Sequence, residues 1–150
     1  MTIVVNTPNG NIGRPLVEAL LARGEKVTIV SRSAAKVADL VKKGATLVEG
    51  SIDDRAALEK AFTSARAVFW LTPPTYGPNF LEWAPATAKL AAGIAKDKGV
   101  SRAVVLSSIG AQAGKGIGPV SALLPVEDAF RAALPDVVAL RAGFFMENVL

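Results

Sequence analysis

The stretch Thr2-Ile3-Val4-Val5-Asn6-Thr7-Pro8-Asn9-Gly10-Asn11-Ile12-Gly13-Arg14-Pro15-Leu16-Val17 decides the fold. Its first four residues are all β-branched or apolar, as in a parallel strand covered on both faces. From Ile12 the period changes. Leu16 with Leu20, and Val17 with Leu21, repeat at i, i+4 and form one apolar helix stripe. Pro15 falls in the first turn of that helix, where its missing N–H costs little. Between strand and helix lie small residues, with Gly10 and Gly13 spaced three apart. Small residues let a ligand approach the backbone, and a helix N-terminus behind them favours an anion. The turn therefore reads as a phosphate turn, with Thr7, Asn9, Gly10, Asn11, Ile12 and Gly13 as candidate contacts. No Gly-Lys-Ser/Thr follows, which excludes a P-loop.

Working outward, five further apolar runs follow at 26–30, 45–48, 67–71, 102–106 and 137–140. Helical patterns at 12–23, 34–43, 55–62, 80–98 and 121–134 alternate with them. Gly24 and Gly44 suit left-handed helix ends, Asp54 suits a helix N-cap, and Pro73-Pro74 closes the fourth strand. Phe69 and Trp70 alternate along that strand and belong to the core on its two faces. Trp83 is a third candidate for an aromatic pocket. Residues 113–118, with three glycines, read as a flexible loop. Strand–helix alternation predicts right-handed crossovers and an α/β, doubly wound parallel sheet. The expected strand order is 3-2-1-4-5-6, in a three-layer αβα sandwich forming one domain over 1–150.

Composition narrows the chemistry. The chain has 150 residues, 51 % hydrophobic and 20 % charged, with no cysteine and no histidine. A Ser-His-Asp triad, a cysteine nucleophile and a disulfide are excluded, and a transition-metal site is not expected. The net charge is +4 but no basic cluster carries interleaved aromatics, so no nucleic-acid partner is expected. No apolar stretch reaches the ~20 residues that span a bilayer. No export signal is recognisable, and a cytoplasmic location is the expectation.

The second strand ends in Val30-Ser31-Arg32-Ser33, with Lys36 one turn later. An NAD-preferring site has an acid there for the ribose hydroxyls. A guanidinium instead suits a 2′-phosphate, because its planar fork pairs with phosphate oxygens. Arg32 and Lys36 thus point to NADP rather than NAD.

Over essentially its whole length the chain resembles the NmrA-like group of atypical short-chain dehydrogenase/reductases. Thr7-Pro8-Asn9-Gly10-Asn11-Ile12-Gly13 occupies the family's Gly-x-x-Gly-x-x-Gly turn, with Thr7 in place of the first glycine. Gly50-Ser51-Ile52 stands where the family often has Gly-Asp-Leu, so Ser51 replaces an adenine-contacting carboxylate while Ile52 can pack the ring. Leu71-Thr72-Pro73-Pro74 matches the segment beside the nicotinamide ribose. Val105-Leu106-Ser107-Ser108 matches the end of strand five, and Glu127 the family's glutamate. Arg141-Ala142-Gly143-Phe144-Phe145-Met146-Glu147-Asn148 resembles the family's Arg-Pro-Gly-x-Phe-Met-Glu-Asn.

The resemblance implies a Rossmann-type, NADP(H)-binding domain that lacks most of the C-terminal substrate lobe. It implies Leu71, Thr72 and Pro73 as cofactor contacts, and Phe144 and Phe145 near the nicotinamide end. Ser107 could touch a substrate or bond the backbone at the strand end. Catalytic members of the wider superfamily use Ser with Tyr-x-x-x-Lys. The single tyrosine, Tyr76, precedes Ser107 and has Phe80 four residues on, so that pair is missing and the catalytic residues are unassigned. Two functions stand open: an oxidoreductase reducing a quinone-like or similar small acceptor, or a redox sensor reporting NADP to a regulatory protein partner. A scaffold domain without ligand is a third. Ending just after the sixth strand would leave an apolar face, which either self-association, as in a homodimer, or the rest of a longer chain is expected to cover.

Overall fold

The computed structural model describes residues 1–74, 79–143 and 145. Six strands form one sheet in the order β3-β2-β1-β4-β5-β6, and every adjacent pair is parallel. They are β1 (Thr2–Asn6), β2 (Val27–Ser31), β3 (Thr46–Glu49), β4 (Ala65–Leu71), β5 (Arg102–Ser108) and β6 (Asp136–Ala142). The helices are α1 (Gly13–Ala22), α2 (Ala38–Lys42), α3 (Arg55–Phe62), α4 (Phe80–Asp97) and α5 (Leu123–Ala133).

The period-two alternation of the strands divides the core. Val5, Ile29 and Phe69 point to the face covered by α1 and α2, where they pack with Val17, Val37 and Leu40. Val4, Val30, Val68 and Trp70 point to the opposite face, under α3, α4 and α5. Phe69 and Trp70 are both buried and fall in different clusters, as their alternation requires. Helix α4 buries a small-residue face, Ala84, Ala88, Ala91, Ala92 and Ala95, which lets it lie close to the sheet and to α5. Trp70 and Phe130, ring centroids 5.5 Å apart, tie β4 to α5.

Local signals act as their chemistry demands. Asp54 caps α3 by accepting a bond from the Ala56 N–H at 2.9 Å, and Gly24 and Gly44 take positive φ behind α1 and α2. The continuous helix expected over 34–43 is instead broken. A 3-10 turn, Ala35–Val37, precedes a short α2, because the Lys36 carbonyl accepts from Arg14 and Val37 is drawn fully into the core. Likewise α5 begins at Leu123, after a 3-10 segment Gly118–Ala122, and a second 3-10 turn, Ala111–Ala113, opens the glycine-rich loop. On edge strand β6, Val138 and Leu140 remain 44 % and 47 % exposed. Among the described residues no helix is long and apolar enough to cross a membrane.

The sheet reverses its winding between β1 and β4. Buried Asn6 holds those two strand ends together: its Nδ2 donates to the Leu71 carbonyl and its Oδ1 accepts from the Leu71 N–H, both at 2.8 Å. Such a switch point, at the carboxyl ends of the strands, is where an open α/β sheet leaves room for a ligand.

Candidate functional site

A cleft of about 540 Å³ opens at this point. Thr7, Asn9 and Gly10 line it from the β1–α1 turn, Ser31, Arg32, Ser33 and Lys36 from the segment after β2, and Ser51, Ile52 and Asp53 from the segment after β3. Pro73 and Trp83 complete the wall on the β4 side.

The two glycines of the turn have different causes. A Cβ on Gly13 would lie 2.2 Å from the Thr7 carbonyl oxygen, so the fold itself demands glycine where α1 closes on the turn. A Cβ on Gly10 would meet nothing nearer than 3.7 Å, and Gly10 does not have positive φ. Among the described residues nothing requires glycine at position 10. The missing side chain leaves the cleft wall open there, while the Gly10 N–H donates to the Thr7 carbonyl at 3.3 Å and the Gly10 carbonyl accepts from the Arg14 N–H at 3.1 Å. Behind it, α1 begins without a side-chain cap on Ile12 and without an acid in its first turn. No side chain therefore competes with an anion at the helix N-terminus, where the Arg14 N–H is taken by the Gly10 carbonyl at 3.1 Å.

Thr7 carries the strain of this turn. Its φ is +52°, a region that a β-branched residue rarely enters. Among the described residues its buried Oγ1 finds no hydrogen-bond partner. Ser31 Oγ steadies the basic side of the cleft by accepting from the Ser33 N–H and donating to the Ser33 carbonyl, at 3.3 and 3.2 Å. Among the described residues neither Arg32 nor Lys36 forms a salt bridge. Two cations outside any salt bridge, beside a helix N-terminus that no side chain caps, suit a ligand with several phosphate charges.

Asp53 lies two residues beyond Ser51, where the family often has its carboxylate. Its Oδ2 accepts from the Trp83 indole N–H at 3.0 Å. Hydrogen bonds from Ser51 and then Trp83 hold its carboxyl below the usual range, and the Arg32 charge adds to this. Asp53 carried no distinctive signal, whereas Trp83, a candidate for an aromatic pocket, does reach the cleft, from α4 some 30 residues downstream of Asp53.

Arg14 braces the cleft from outside. Nη1 pairs with Asp39 of α2, while Nη2 donates to Asn9 Oδ1 at 3.1 Å and to the Lys36 carbonyl at 2.8 Å. Desolvation works against the Asp39 carboxylate, but the charge and hydrogen bond of Arg14, with nearby backbone bonds, leave its pKa lowered.

Of the residues expected at the site, Thr7, Asn9, Gly10, Arg32, Lys36, Ser51, Ile52 and Pro73 line this one cleft. Gly13 is buried behind the turn, Ile12 packs against the core, and Asn11 is exposed outside the lining. The backbone of Leu71 is engaged by Asn6, and the Thr72 hydroxyl accepts from the Trp70 indole at 3.2 Å. Ser107 bonds neither backbone nor open cleft. It is buried and donates to Glu127 at 2.6 Å. Phe145 is 38 % exposed. Phe144 lies outside the described residues, as does Tyr76.

Glu127 is fully buried and fully engaged. Besides Ser107 it accepts from Arg141 Nε and Nη2, at 2.9 and 2.8 Å, and pairs with Arg131 at 2.8 Å. The Arg141 bonds outweigh desolvation, Ser107 and Arg131 add to them, and the pKa falls to about 2. Glu127 raises the pKa of Arg141 in return. This group joins β5, α5 and β6 and holds no proton to give at neutral pH.

The doubly wound sheet, the helix N-terminus at its switch point and the polar, basic cleft define a nucleotide-binding α/β domain. The model of the NAD(P)H-binding family matches residues 8–137, and the chain belongs to that family. No curated protein matches it. Solved structures share its fold. Citrobacter sp. triphenylmethane reductase, complexed with NADP(H), has a TM-score of 0.85 at 20 % identity, over 99 % of this chain and 52 % of the other. An NADPH-dependent quinone oxidoreductase from Escherichia coli, complexed with NADPH, has 0.82 at 20 % identity, over 98 % and 50 %. An anaerobillin reductase from Escherichia coli O157:H7 has 0.76 at 16 % identity, over 94 % and 72 %. The chain spans about half the length of the first two. Membership and fold are consistent with the NmrA-like, atypical short-chain dehydrogenase/reductase resemblance.

Proposed function

We propose that this chain binds NADP(H) in preference to NAD(H), as the cofactor domain of an oxidoreductase that reduces a flat, quinone-like acceptor. Gly10 carries the reading. It lines the cleft without a side chain although, among the described residues, nothing around it requires glycine, and a closely approaching phosphate would require it. In this reading the turn holds the pyrophosphate, Arg32 and Lys36 hold the 2′-phosphate, and Ile52 packs the adenine. The NADP(H) complexes of the dye and quinone reductases that share the fold support it.

Bound NADPH would supply a hydride. The chain's part is to orient it and exclude water, because the cofactor carries the chemistry. Ser107 is tied to a carboxylate that stays ionised, so it offers no proton to a substrate. That favours an acceptor which, like a quinone, takes hydride first and a proton from water afterwards. It disfavours a simple ketone, which needs an acid as hydride arrives. The same engaged Ser107 favours a second reading, a sensor that binds NADP(H) without turnover.

Fluorescence titration with NADPH, followed by absorbance decay over a panel of quinones and ketones, separates these readings. NADPH binding with quinone turnover is the expected result. Binding without turnover on any acceptor selects the sensor. No binding at millimolar NADPH removes both.

A further inference from the structure

Arg14 stands where a helix tolerates a cation poorly. It lies in the first turn of α1, where the dipole disfavours positive charge by roughly 0.3–1 kcal/mol, and no acid shares that turn. Yet its guanidinium does not turn out into water. One planar fork reaches Asn9 in the phosphate turn, the Lys36 carbonyl in the 3-10 turn after β2, and Asp39 in α2. Asn9 and Lys36 both line the cleft, from two different segments. Beyond the β1–β2 ladder, the hydrogen bonds that join these segments among the described residues are those of Arg14. A planar, preorganised fork with donors in fixed directions can set such a spacing; a flexible ammonium cannot.

We propose that Arg14 is a positioning residue that fixes the distance between the pyrophosphate turn and the 2′-phosphate wall, and so selects ligands that carry both groups. This rests on the dinucleotide-binding reading above. In NADPH the separation of the two phosphate groups is limited by the adenosine between them. A ligand gripped by both walls gains only if the walls are held at the matching spacing. Of the two phosphate sites, NADH engages the turn alone and adenosine 2′-monophosphate the basic wall alone. Neither depends on the spacing.

The test measures the affinities of these three ligands for the unaltered chain and for Arg14→Ala, Arg14→Lys and Asp39→Asn, with thermal midpoints as the check on folding. Arg14→Ala and Asp39→Asn should weaken NADPH about fivefold and the two single-wall ligands less than about twofold, the scale of a partly exposed ion-pair network. Arg14→Lys should not restore NADPH binding. Equal losses for all three ligands overturn the proposal, as do unchanged affinities or full rescue by lysine, which would show that charge alone matters. Should Arg14→Ala fail to fold, surface residue Asp39 carries the same comparison. An unaltered chain that binds none of the three overturns the dinucleotide reading itself. Binding without the NADPH-specific loss overturns only the role of Arg14.

Discussion

Replacing Gly10 by alanine should separate binding from folding. The added Cβ lies 3.7 Å from the Thr7 carbonyl oxygen, an ordinary contact, at a residue without positive φ. On the folding side the change should be neutral or favourable by roughly 0.4–1 kcal/mol, because alanine restricts the unfolded chain. For a chain of this size that is a rise in Tm of up to about 1–4 °C. On the binding side the methyl is added to a residue that lines the cleft, where a phosphate oxygen must come within about 3 Å of the turn's N–H groups. Displacing it weakens charge-assisted bonds worth about 1.5–3 kcal/mol each. NADPH affinity should therefore fall on the order of a hundredfold. Gly13→Ala is the contrast: its Cβ would sit 2.2 Å from the same carbonyl oxygen, so that variant should lose about 1–3 kcal/mol of stability or fail to fold. Thermal unfolding without ligand and fluorescence titration with NADPH read the two effects. A folded Gly10→Ala variant that binds NADPH as tightly as the unaltered chain would refute the reasoning, since the anion would then not lie on this backbone.

Thr7→Gly should stabilise the chain by about 1 kcal/mol in urea unfolding, because strain of ~1–3 kcal/mol and an orphaned hydroxyl are relieved against a smaller glycine entropy cost; a loss of stability would contradict the strained turn. Arg32→Ala should weaken NADPH at least about tenfold more than NADH, as expected for a lost phosphate pair. Equal losses in parallel titrations would show that Arg32 does not hold the 2′-phosphate. Glu127 has a folded pKa of about 2 against an ordinary 4.5. Its contribution, about 3 kcal/mol from that shift, is therefore present above pH 4.5 and lost as pH falls toward 2. The stability gap between the unaltered chain and Glu127→Gln should be widest near pH 6 and narrow over that window in acid. A gap that stays constant from pH 6 to pH 2.5 would rule this out.

Much of the architecture was legible in order along the chain. Runs of apolar residues too short for helices, alternating with i, i+4 stripes, leave a parallel sheet as the arrangement that buries both, and 3-2-1-4-5-6 is the natural guess for a six-stranded sheet of that kind. The turn after β1 and the cation after β2 were legible too, since each is a local pattern beside a strand end. The broken helix at 35–42 was not. Its cause is a carbonyl drawn to Arg14, 22 residues earlier in the chain.

By itself the sequence determined which chemistry is absent and where an anion could meet bare backbone. With no histidine or cysteine, no substitution of contacts can create that chemistry. Only the tertiary structure decided what each candidate side chain is free to do. It committed Ser107 to Glu127, brought Asp53 and Trp83 into the cleft, and separated Gly13, which the fold needs, from Gly10, which it does not. The reason is physical. Strand and helix periods follow from neighbours a few residues apart. The freedom of a hydroxyl or a guanidinium depends on partners that the crossovers bring from 20 or more positions away.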